Sequence, residues 1–463
     1  MFIGREKELQ QLNRLYNSDK FEFAVIYGRR RVGKTALINE FIKDKDAIFF
    51  TGVETNEKQN LENFSKCVLE FGTGMEMNTA FPSFQAALEY VFKLAEIKRV
   101  ILCIDEYPYV ARSSKSLAST LQFLIDKNKD TSKLFLILCG SSMSYMEDHV
   151  LAYKAPLYGR RTAQFKIQPF EFLESCKYFK NMSDTDKALA YGIVGGTPQY
   201  LLQFRDDLSI EDNIKNTYLN PVSSIYEEPS NLLKQEMREP AIYNAIITAI
   251  ATGASKLSEI SGKVGEDTSV CSAYIKNLIA LGIIKKETPY GEDTTRKTIY
   301  SIEDNMFRFW YRFVPENASI ISRGAADLAY RRIAPHLSDY MGAVFEDICK
   351  QYLWNLLLKG ESHVDFTALG RWWGTNPKTR QQVEIDIMGT ADKTTALFGE
   401  CKWRNENIDS GILDALIEKS QLFHYPNKHY YLFSKTGFTN GCVELAEKMG
   451  NVTLVRYEEI LKI

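Results

Sequence analysis

Three apolar runs stand out along the first third of the chain: "FAVIY" (23–27), "RVILCID" (99–105) and "LFLILCG" (134–140). Each is about as long as a strand and has no polar alternation, the pattern of strands covered on both faces in a parallel sheet. A Gly-rich turn and a helix-period stretch, "GRRRVGKTALINEF", follow the first run. From Pro240 the pattern changes. "AIYNAIITAIATG", "KLSEISGKVG" and "TSVCSAYIKNLIALGII" read as three helices separated by Gly, Ser and Thr turns. "KKETPYGEDTTRKTIYSI" then reads as a β-hairpin around Pro289–Gly291, and "NMFRFWYRFV" as an aromatic stretch that packs this unit against the last domain. In the last third, "YMGAVFEDICKQYLWNLL" is an amphipathic helix, "QQVEIDIMG" and "ALFGECKW" are strands joined by a polar turn, and "QLFHY" lies on a later helix.

Composition narrows the classes. At 463 residues the chain has room for about three domains. Hydrophobic residues make up 45% and charged residues 25%, as in ordinary globular proteins. The net charge of −2 gives no global attraction to nucleic acid, so any such contact must come from local patches. The eight cysteines include no C-x-x-C pair, and Cys103 and Cys139 fall inside buried-strand runs. That favours reduced, packed thiols over a disulfide or zinc framework. The N-terminus has no apolar signal core and no run reaches the ~18 apolar residues of a membrane span. The expectation is a cytoplasmic protein with no membrane partner.

Chemistry enters at the first turn. Gly28-x-x-x-x-Gly33-Lys34-Thr35 matches the phosphate-binding loop in full. The glycines let backbone N–H groups converge on phosphate oxygens, and the helix beginning with Lys34, Thr35 and Ala36 adds its partial positive end. Lys34 is expected to reach the β- and γ-phosphates and Thr35 to ligate Mg²⁺. The second apolar run ends in Asp105-Glu106, where such a fold places a Mg²⁺-assisting Asp and a water-orienting Glu. The third ends in Ser141 and Ser142, either a γ-phosphate contact or a turn of small residues. "PLYGRR" offers Arg160 and Arg161, either a pair that stabilises charge on the transferring phosphoryl group, in cis or from a neighbouring subunit, or a solvated or DNA-facing pair. "VGGTPQYL" opens a helix at Pro198 and reads as part of a small helical lid. Arg29, Arg30 and Arg31 make the loop unusually basic, for contact with phosphate or an acidic neighbour.

Taken in order, "FIGREKEL", the loop, "CIDEYPYV", "CGSSMSYM", "LYGRR" and "GGTPQYL" resemble an archaeal-type ATPase of the AAA+/STAND P-loop class over roughly residues 1–230. The resemblance implies ATP and Mg²⁺ as ligands, Ile3-Gly4-Arg5 near the adenine, and Pro198 on the nucleotide's other side.

Three helices followed by a two-stranded wing is the winged helix-turn-helix layout, with about Ser269–Leu281 as its reading helix. From Lys256 to Lys297 the sequence has seven Lys/Arg against six Asp/Glu. A dedicated duplex binder carries a stronger basic bias, so intramolecular packing is an equal reading.

In "LFGECKW", Glu400 and Lys402 share one face of a strand, ~6.5–7 Å apart along the chain. Asp386 ends the preceding strand, with Glu384 on its face as a competing ligand. Two carboxylates can hold a divalent ion through hard oxygens, while Lys402 positions water or balances charge and Glu346 joins from the helix. The ordered set Glu346, Asp386, Glu400-x-Lys402 and Gln421-x-x-x-Tyr425 resembles the PD-(D/E)XK nuclease superfamily over about residues 340–435. Ile385 stands where that pattern has a proline. The resemblance implies Mg²⁺ or Mn²⁺ at Asp386 and Glu400. "RWWGTNPKTR" adds Arg371, Lys378 and Arg380, either phosphate-holding groups or a hairpin whose tryptophans pack inward.

The expected architecture is α/β throughout. A P-loop NTPase core (1–165) with a parallel sheet and a helical lid (166–235) is followed by a winged helix-turn-helix and connector (236–335). A restriction-endonuclease-like α/β domain (336–463) completes the chain. The expected function is ATP hydrolysis coupled to nucleic-acid binding, DNA favoured, and metal-dependent cleavage, in a chain able to form homo-oligomers. The alternative is a STAND-like ATP switch whose C-terminal domains bind DNA or protein without cutting.

Overall fold

The computed structural model describes residues 2–76, 79–292 and 295–462. Asp293 and Thr294, part of the expected hairpin connection, lie outside the described residues. The chain forms two compact units, Met1–Pro169 with Thr197–Gln199, and Phe170–Gly196 with Tyr200–Ile463.

Unit 1 is built on β1 (Glu22–Tyr27), β2 (Ala47–Thr51), β3 (Val100–Asp105), β4 (Leu134–Gly140) and β5 (Ala163–Lys166), in the order β2-β3-β4-β1-β5. Every pairing is parallel. The three apolar runs are β1, β3 and β4, and each of their residues is buried, whereas β5 at the edge has no buried residue. The helix Lys34–Ile42 lays Leu37, Ile38 and Phe41 on the sheet, where Phe41 meets Phe135 edge-on at 5.8 Å. The register aligns Tyr27 with Gly140 and Thr51 with Asp105. Parallel strands thus end together, and the turns at that edge carry the functional side chains, as open α/β sheets generally do.

Unit 2 contains most of the segment expected as a lid, without residues 166–169 and 197–199, together with the middle and last domains. Three helices, Pro240–Ala251, Leu257–Val264 and Thr268–Ala280, precede an antiparallel ribbon of β6 (Ile284–Glu287) and β7 (Ile299–Ile302). The aromatic stretch is the start of a helix, Asn305–Ile321, whose Phe309 contacts Tyr218, Phe313 and Tyr340. Tyr340 opens into the long helix Leu337–Lys359 and donates its hydroxyl to the Gly192 carbonyl at 2.6 Å.

The last sheet is mixed: β8 (Leu369–Thr375), β9 (Gln382–Thr390), β10 (Thr395–Lys402), β11 (Asn427–Ser434) and β12 (Val452–Arg456), in the order β12-β11-β10-β9-β8. β9 runs antiparallel to its neighbours β8 and β10, then β11 and β12 continue parallel to β10. The structure corrects the helix expected at "QLFHY". The helix Ser410–Ser420 stops one residue before it, and exposed Gln421 is its C-cap. Pro426 lies two residues beyond His424, so helical backbone at Tyr425 is disfavoured and the chain turns into β11. Tyr425 packs on the apolar core instead.

Candidate functional sites

The loop between β1 and the helix Lys34–Ile42 has the strained geometry that its glycines permit. Gly28 takes φ 156°, and a Cβ there would stand 2.3 Å from the Ile167 carbonyl oxygen. Gly33 takes φ 89°. Lys34, only 6% exposed, folds back over the loop and donates to the carbonyls of Gly28 (2.8 Å) and Arg29 (3.0 Å). A buried ammonium with carbonyl partners is a charge prepared for an anion. Thr35 and Ala36 are exposed on the first helical turn.

Thr35 donates its hydroxyl to Asp105 Oδ2 at 2.8 Å, across from the end of β3. That hydroxyl–carboxylate pair fits a divalent ion, which would replace the shared proton contact with two oxygen ligands. Glu106 sits at φ 48°, a left-handed backbone that turns its side chain away from the strand direction. Its Oε2 accepts from Ser141 Oγ at 2.9 Å, so the ends of β3 and β4 meet here. Ser142 follows at the start of the short helix Met143–Tyr145.

Arg29 donates to Thr197 Oγ1 at 2.9 Å, and Pro198 Cγ would lie 3.6 Å from a Cβ on Gly33. The Thr197-Pro198 turn therefore closes over the loop, and Arg29 is the residue that reaches it. Arg30 donates to the Tyr109 hydroxyl at 3.0 Å. Arg5 donates to the carbonyls of Val32 and Gln168, which ties the N-terminal segment to the loop. The "RR" pair divides. Arg160 is held by both oxygens of Asp126, at 2.9 and 2.6 Å, so its charge is already answered within the chain. Arg161 lies over the Tyr158 ring.

In unit 2, the acidic and basic residues of β9, β10 and the long helix converge. Lys402 Nζ lies 2.7 Å from Glu400 Oε1 and 4.0 Å from Asp386 Oδ2. Asp386 Oδ2 also accepts the Cys401 N–H at 2.9 Å, which fixes it across the β9–β10 hairpin. Glu346, from the long helix, pairs with Arg371 Nε at 3.5 Å, and Arg371 also binds Glu384. Glu384 is therefore an anchor for Arg371. Lys378 and Arg380 are exposed in the turn after β8, while Trp372 packs inward against Phe423.

Proton affinities register the crowding of acids. Burial and then the charge of Asp386 push Glu346 up to about 7. Burial and then Glu400 raise Asp386. Burial pulls Lys402 down, but Glu400 and Asp386 outweigh it and its affinity ends raised. Burial is the larger cause for both acids, and buried carboxylates crowded together offer hard oxygens that suit a divalent cation. Against this, among the described residues no group of three or more His, Cys, Asp or Glu side chains is close enough to form a ready cluster.

Sequence reasoning missed Lys419. It donates to Glu400 Oε2 at 2.9 Å from the last turn of the helix Ser410–Ser420. The signal was present: Lys419 lies three residues after buried Leu416, on the inward side of that helix.

The loop, the acidic strand end and the parallel sheet define a P-loop ATPase. Residues 2–204 match the family described as an ATPase domain predominantly from Archaea. Residues 310–412 match a family described as archaeal and bacterial proteins of unknown function. An uncharacterized protein of Methanocaldococcus jannaschii is 34% identical over 411 residues, 88% of each chain, and this chain belongs to the same family, with the archaeal-type ATPase domain over residues 2–204. An uncharacterized ATP-binding protein of Pyrococcus abyssi is 26% identical over 255 residues, 45% of this chain and 74% of that one. Among solved structures, a Walker-type ATPase of Pyrococcus abyssi covers 67% of this chain and 96% of its own at TM-score 0.52 and 18% identity, a likeness of fold. Among the described residues no helix is long and apolar enough to cross a membrane.

Proposed function

We propose that this chain couples ATP hydrolysis in unit 1 to nucleic-acid binding and metal-dependent phosphodiester cleavage in unit 2, through a winged-helix element and a PD-(D/E)XK nuclease-like sheet. The observation that carries the reading is Lys402 lying between Glu400 and Asp386, with Glu346 electrostatically coupled to Asp386. Bland surface pairs expose both partners, whereas Glu400 is 6% exposed. A buried carboxylate held by ammonium groups beside two proton-hungry acids calls for a chemical reason.

At the phosphate loop, Lys34 is placed to move from its carbonyl partners onto nucleotide phosphates, and Glu106, steadied by Ser141, is placed to orient water. Mg²⁺ would be held by Thr35 with Asp105 and supplies charge neutralisation on the phosphates. In unit 2, Asp386 and Glu400, with Glu346 alongside, would hold Mg²⁺ or Mn²⁺, which supplies Lewis-acid activation of a phosphodiester and of water. Lys402 answers negative charge that builds at phosphorus. Four acids (Glu346, Glu384, Asp386, Glu400) face three bases (Arg371, Lys402, Lys419), so an added divalent ion would turn the site net positive toward an anionic strand.

The second reading is an ATP-driven switch whose unit 2 binds without cutting. It is favoured by Glu400, both of whose oxygens are already taken by lysines. Incubating the full chain with labelled DNA or RNA in Mg²⁺ or Mn²⁺, with and without ATP, separates the two. Cleavage lost in Asp386→Asn and Lys402→Met, with ATP turnover kept, supports the first. Absence of any divalent-metal binding at Asp386 and of any cleavage leaves the second.

A further inference from the structure

Beside Glu346 a cavity of about 290 Å³ opens between the end of the helix Pro240–Ala251, the β6–β7 ribbon, the aromatic helix Asn305–Ile321 and the long helix Leu337–Lys359. Its basic lining is Lys285, Arg308, Arg312 and Arg371. The acids in the same wall are largely answered. Asp347 takes Lys285 at 3.1 Å and Arg308 at 3.6 Å, and Glu287 accepts from Ser301. Arg308 uses Nε and Nη2 on the Ile302 carbonyl, at 3.0 and 2.7 Å, but its buried Nη1 has no hydrogen-bond partner. Arg371 Nε lacks a hydrogen bond too, but it is ion-paired with Glu346 at 3.5 Å. The unmet Arg308 donor in the cavity asks for an acceptor, preferably an anionic one.

A second cavity of about 580 Å³ shares Ala251 and Arg312 with the first, so the two adjoin. Its charged lining is Arg312, Arg332, Glu316 and, when protonated, His336. Arg332 and His336 form no ion pair among the described residues. Along the wall from His336 to Arg371, Arg312 is held by Asp339 at 2.7 Å, and Lys285 and Arg308 by Asp347, so Arg332 is the arginine left without an ion pair. The wall ends at Glu346, one of the acids of the Asp386–Glu400 site.

We propose that the two cavities are consecutive subsites for the sugar–phosphate backbone of a single nucleic-acid strand that leads into the Asp386–Glu400 site, an inference that rests on reading that site as one that acts on nucleic acid. A cavity of about 290 Å³ is of small-molecule size and suits one strand's backbone better than the width of a duplex. Chemistry favours a nucleic acid over an acidic peptide. A peptide brings an N–H donor with every residue, and of the acidic acceptors here Asp347, Glu287 and Glu346 already have partners, which leaves only Glu316 without one among the described residues. A phosphodiester backbone brings acceptors only, and guanidinium groups match its oxygens with paired donors. The ribbon and the three helices before it then serve as one wall of a strand track.

The test is binding, measured apart from cleavage. The full chain carrying Lys34→Ala, so that the phosphate loop does not contribute, is titrated in chelator with a short labelled single-stranded oligonucleotide. A duplex of the same length, a nucleoside monophosphate and polyglutamate serve as competitors. Arg332→Glu, which breaks no pair, and Arg312→Glu, which gives up its pair with Asp339, are compared with the parent after thermal melts show that both fold. The proposal expects single-strand binding about tenfold weaker in each variant, with a salt slope reduced by about 0.7 for each phosphate no longer held. Unchanged affinity in Arg332→Glu and Arg312→Glu overturns it, as does a duplex that competes as well as the single strand. Equal competition by the monophosphate would mean a free-nucleotide pocket, and by polyglutamate a generic acidic-chain surface; either overturns the strand track. Binding that behaves as expected in a chain that never cleaves keeps the track and removes the cleavage reading instead.

Discussion

Lys419 reaches Glu400 from a different element, donating to Oε2 at 2.9 Å while Lys402 of the same strand takes Oε1 at 2.7 Å. A carboxylate with both oxygens bound by ammonium groups is fixed in direction. The arrangement also ties the helix Ser410–Ser420 to β10 at the edge where Asp386 sits. Its energetic meaning comes from burial: a lone charge at that depth is costly, and one lysine leaves one oxygen unanswered.

Removing Lys419 is therefore expected to be felt through Glu400. Lys419→Met should lower unfolding stability by about 1–3 kcal/mol, the cost of an unsatisfied buried acceptor. Lys402→Met should do the same, and the double variant should lose more than the two summed, because Glu400 then has no cation at all. Denaturant melts of the singles, the double and each combined with Glu400→Gln measure this coupling. Additive losses that Glu400→Gln fails to relieve would show that the lysines act independently of Glu400.

In unit 1, Lys34→Ala should lower ATP turnover by about 100-fold or more, the range for losing a charged donor to a transition state. Glu106→Gln should keep nucleotide affinity and slow turnover by about 100-fold, as expected for loss of a base that orients water. Ser141→Ala should give a smaller loss in the same direction, since it removes the hydroxyl that holds Glu106. Turnover in Glu106→Gln equal to the parent, with binding intact by fluorescent-nucleotide titration, would remove Glu106 from that role.

How far the sequence reaches depends on whether a pattern is local. The buried strands β1, β3 and β4 are legible because continuous apolar runs have few other uses, and the phosphate loop because its glycines and Lys34 lie within eight residues. Glu400 and Lys402 are legible for the same reason: strand alternation fixes their common face. Lys419 was not, because its importance arises only when a helix folds over β10. Gln421 misled in the opposite sense. Its spacing to Tyr425 is that of one helical turn, but the nearby Pro426 decides the backbone. The partner of Arg160 was not legible, since Asp126 lies 34 residues away and nothing local announces the ion pair. The grouping of 170–196 with the C-terminal part is likewise a tertiary fact, made by contacts such as Tyr340 with Gly192.

Gly28→Ala offers a test of the loop's geometry. An added Cβ would meet the Ile167 oxygen at 2.3 Å, and φ 156° disfavours any side chain. The oxygen belongs to the residue whose N–H is bonded to the Tyr27 carbonyl, so it cannot retreat without disturbing the β1–β5 edge. The expected result is a stability loss of about 1–3 kcal/mol together with weakened ATP binding. Gly74→Ala, another left-handed glycine but with open space around it, should cost less and leave ATP binding unchanged. Equal losses from both would mean that strain alone, rather than closeness to Ile167, sets the effect.

The C-terminal sheet should also carry a pH signature from two histidines. His429, on β11, stacks on His363 with ring centroids 4.4 Å apart and planes 20° from parallel. Its Nε2 lies 2.8 Å from Thr453 Oγ1. Burial first, and then the neighbouring His363, lower the proton affinity of His429 from its ordinary 6.5 to about 4. Proton counts set the sign. Between about 6.5 and 4 the unfolded chain binds a proton at this position and the folded chain does not. Stability from this site is therefore complete above about pH 7 and is lost as pH falls through 6.5 toward 4. Solvent reaches the ring, so the loss should be smaller than the full shift implies. His429→Gln keeps a polar group beside Thr453 and removes the titration. Chemical denaturation of both chains between pH 4 and 8 should show the parent losing more stability below pH 6.5 than the variant, with the two curves parallel above pH 7. Parallel curves over the whole range would mean that His429 protonates as readily in the fold as in the open chain, and that the stacked pair exerts no such effect.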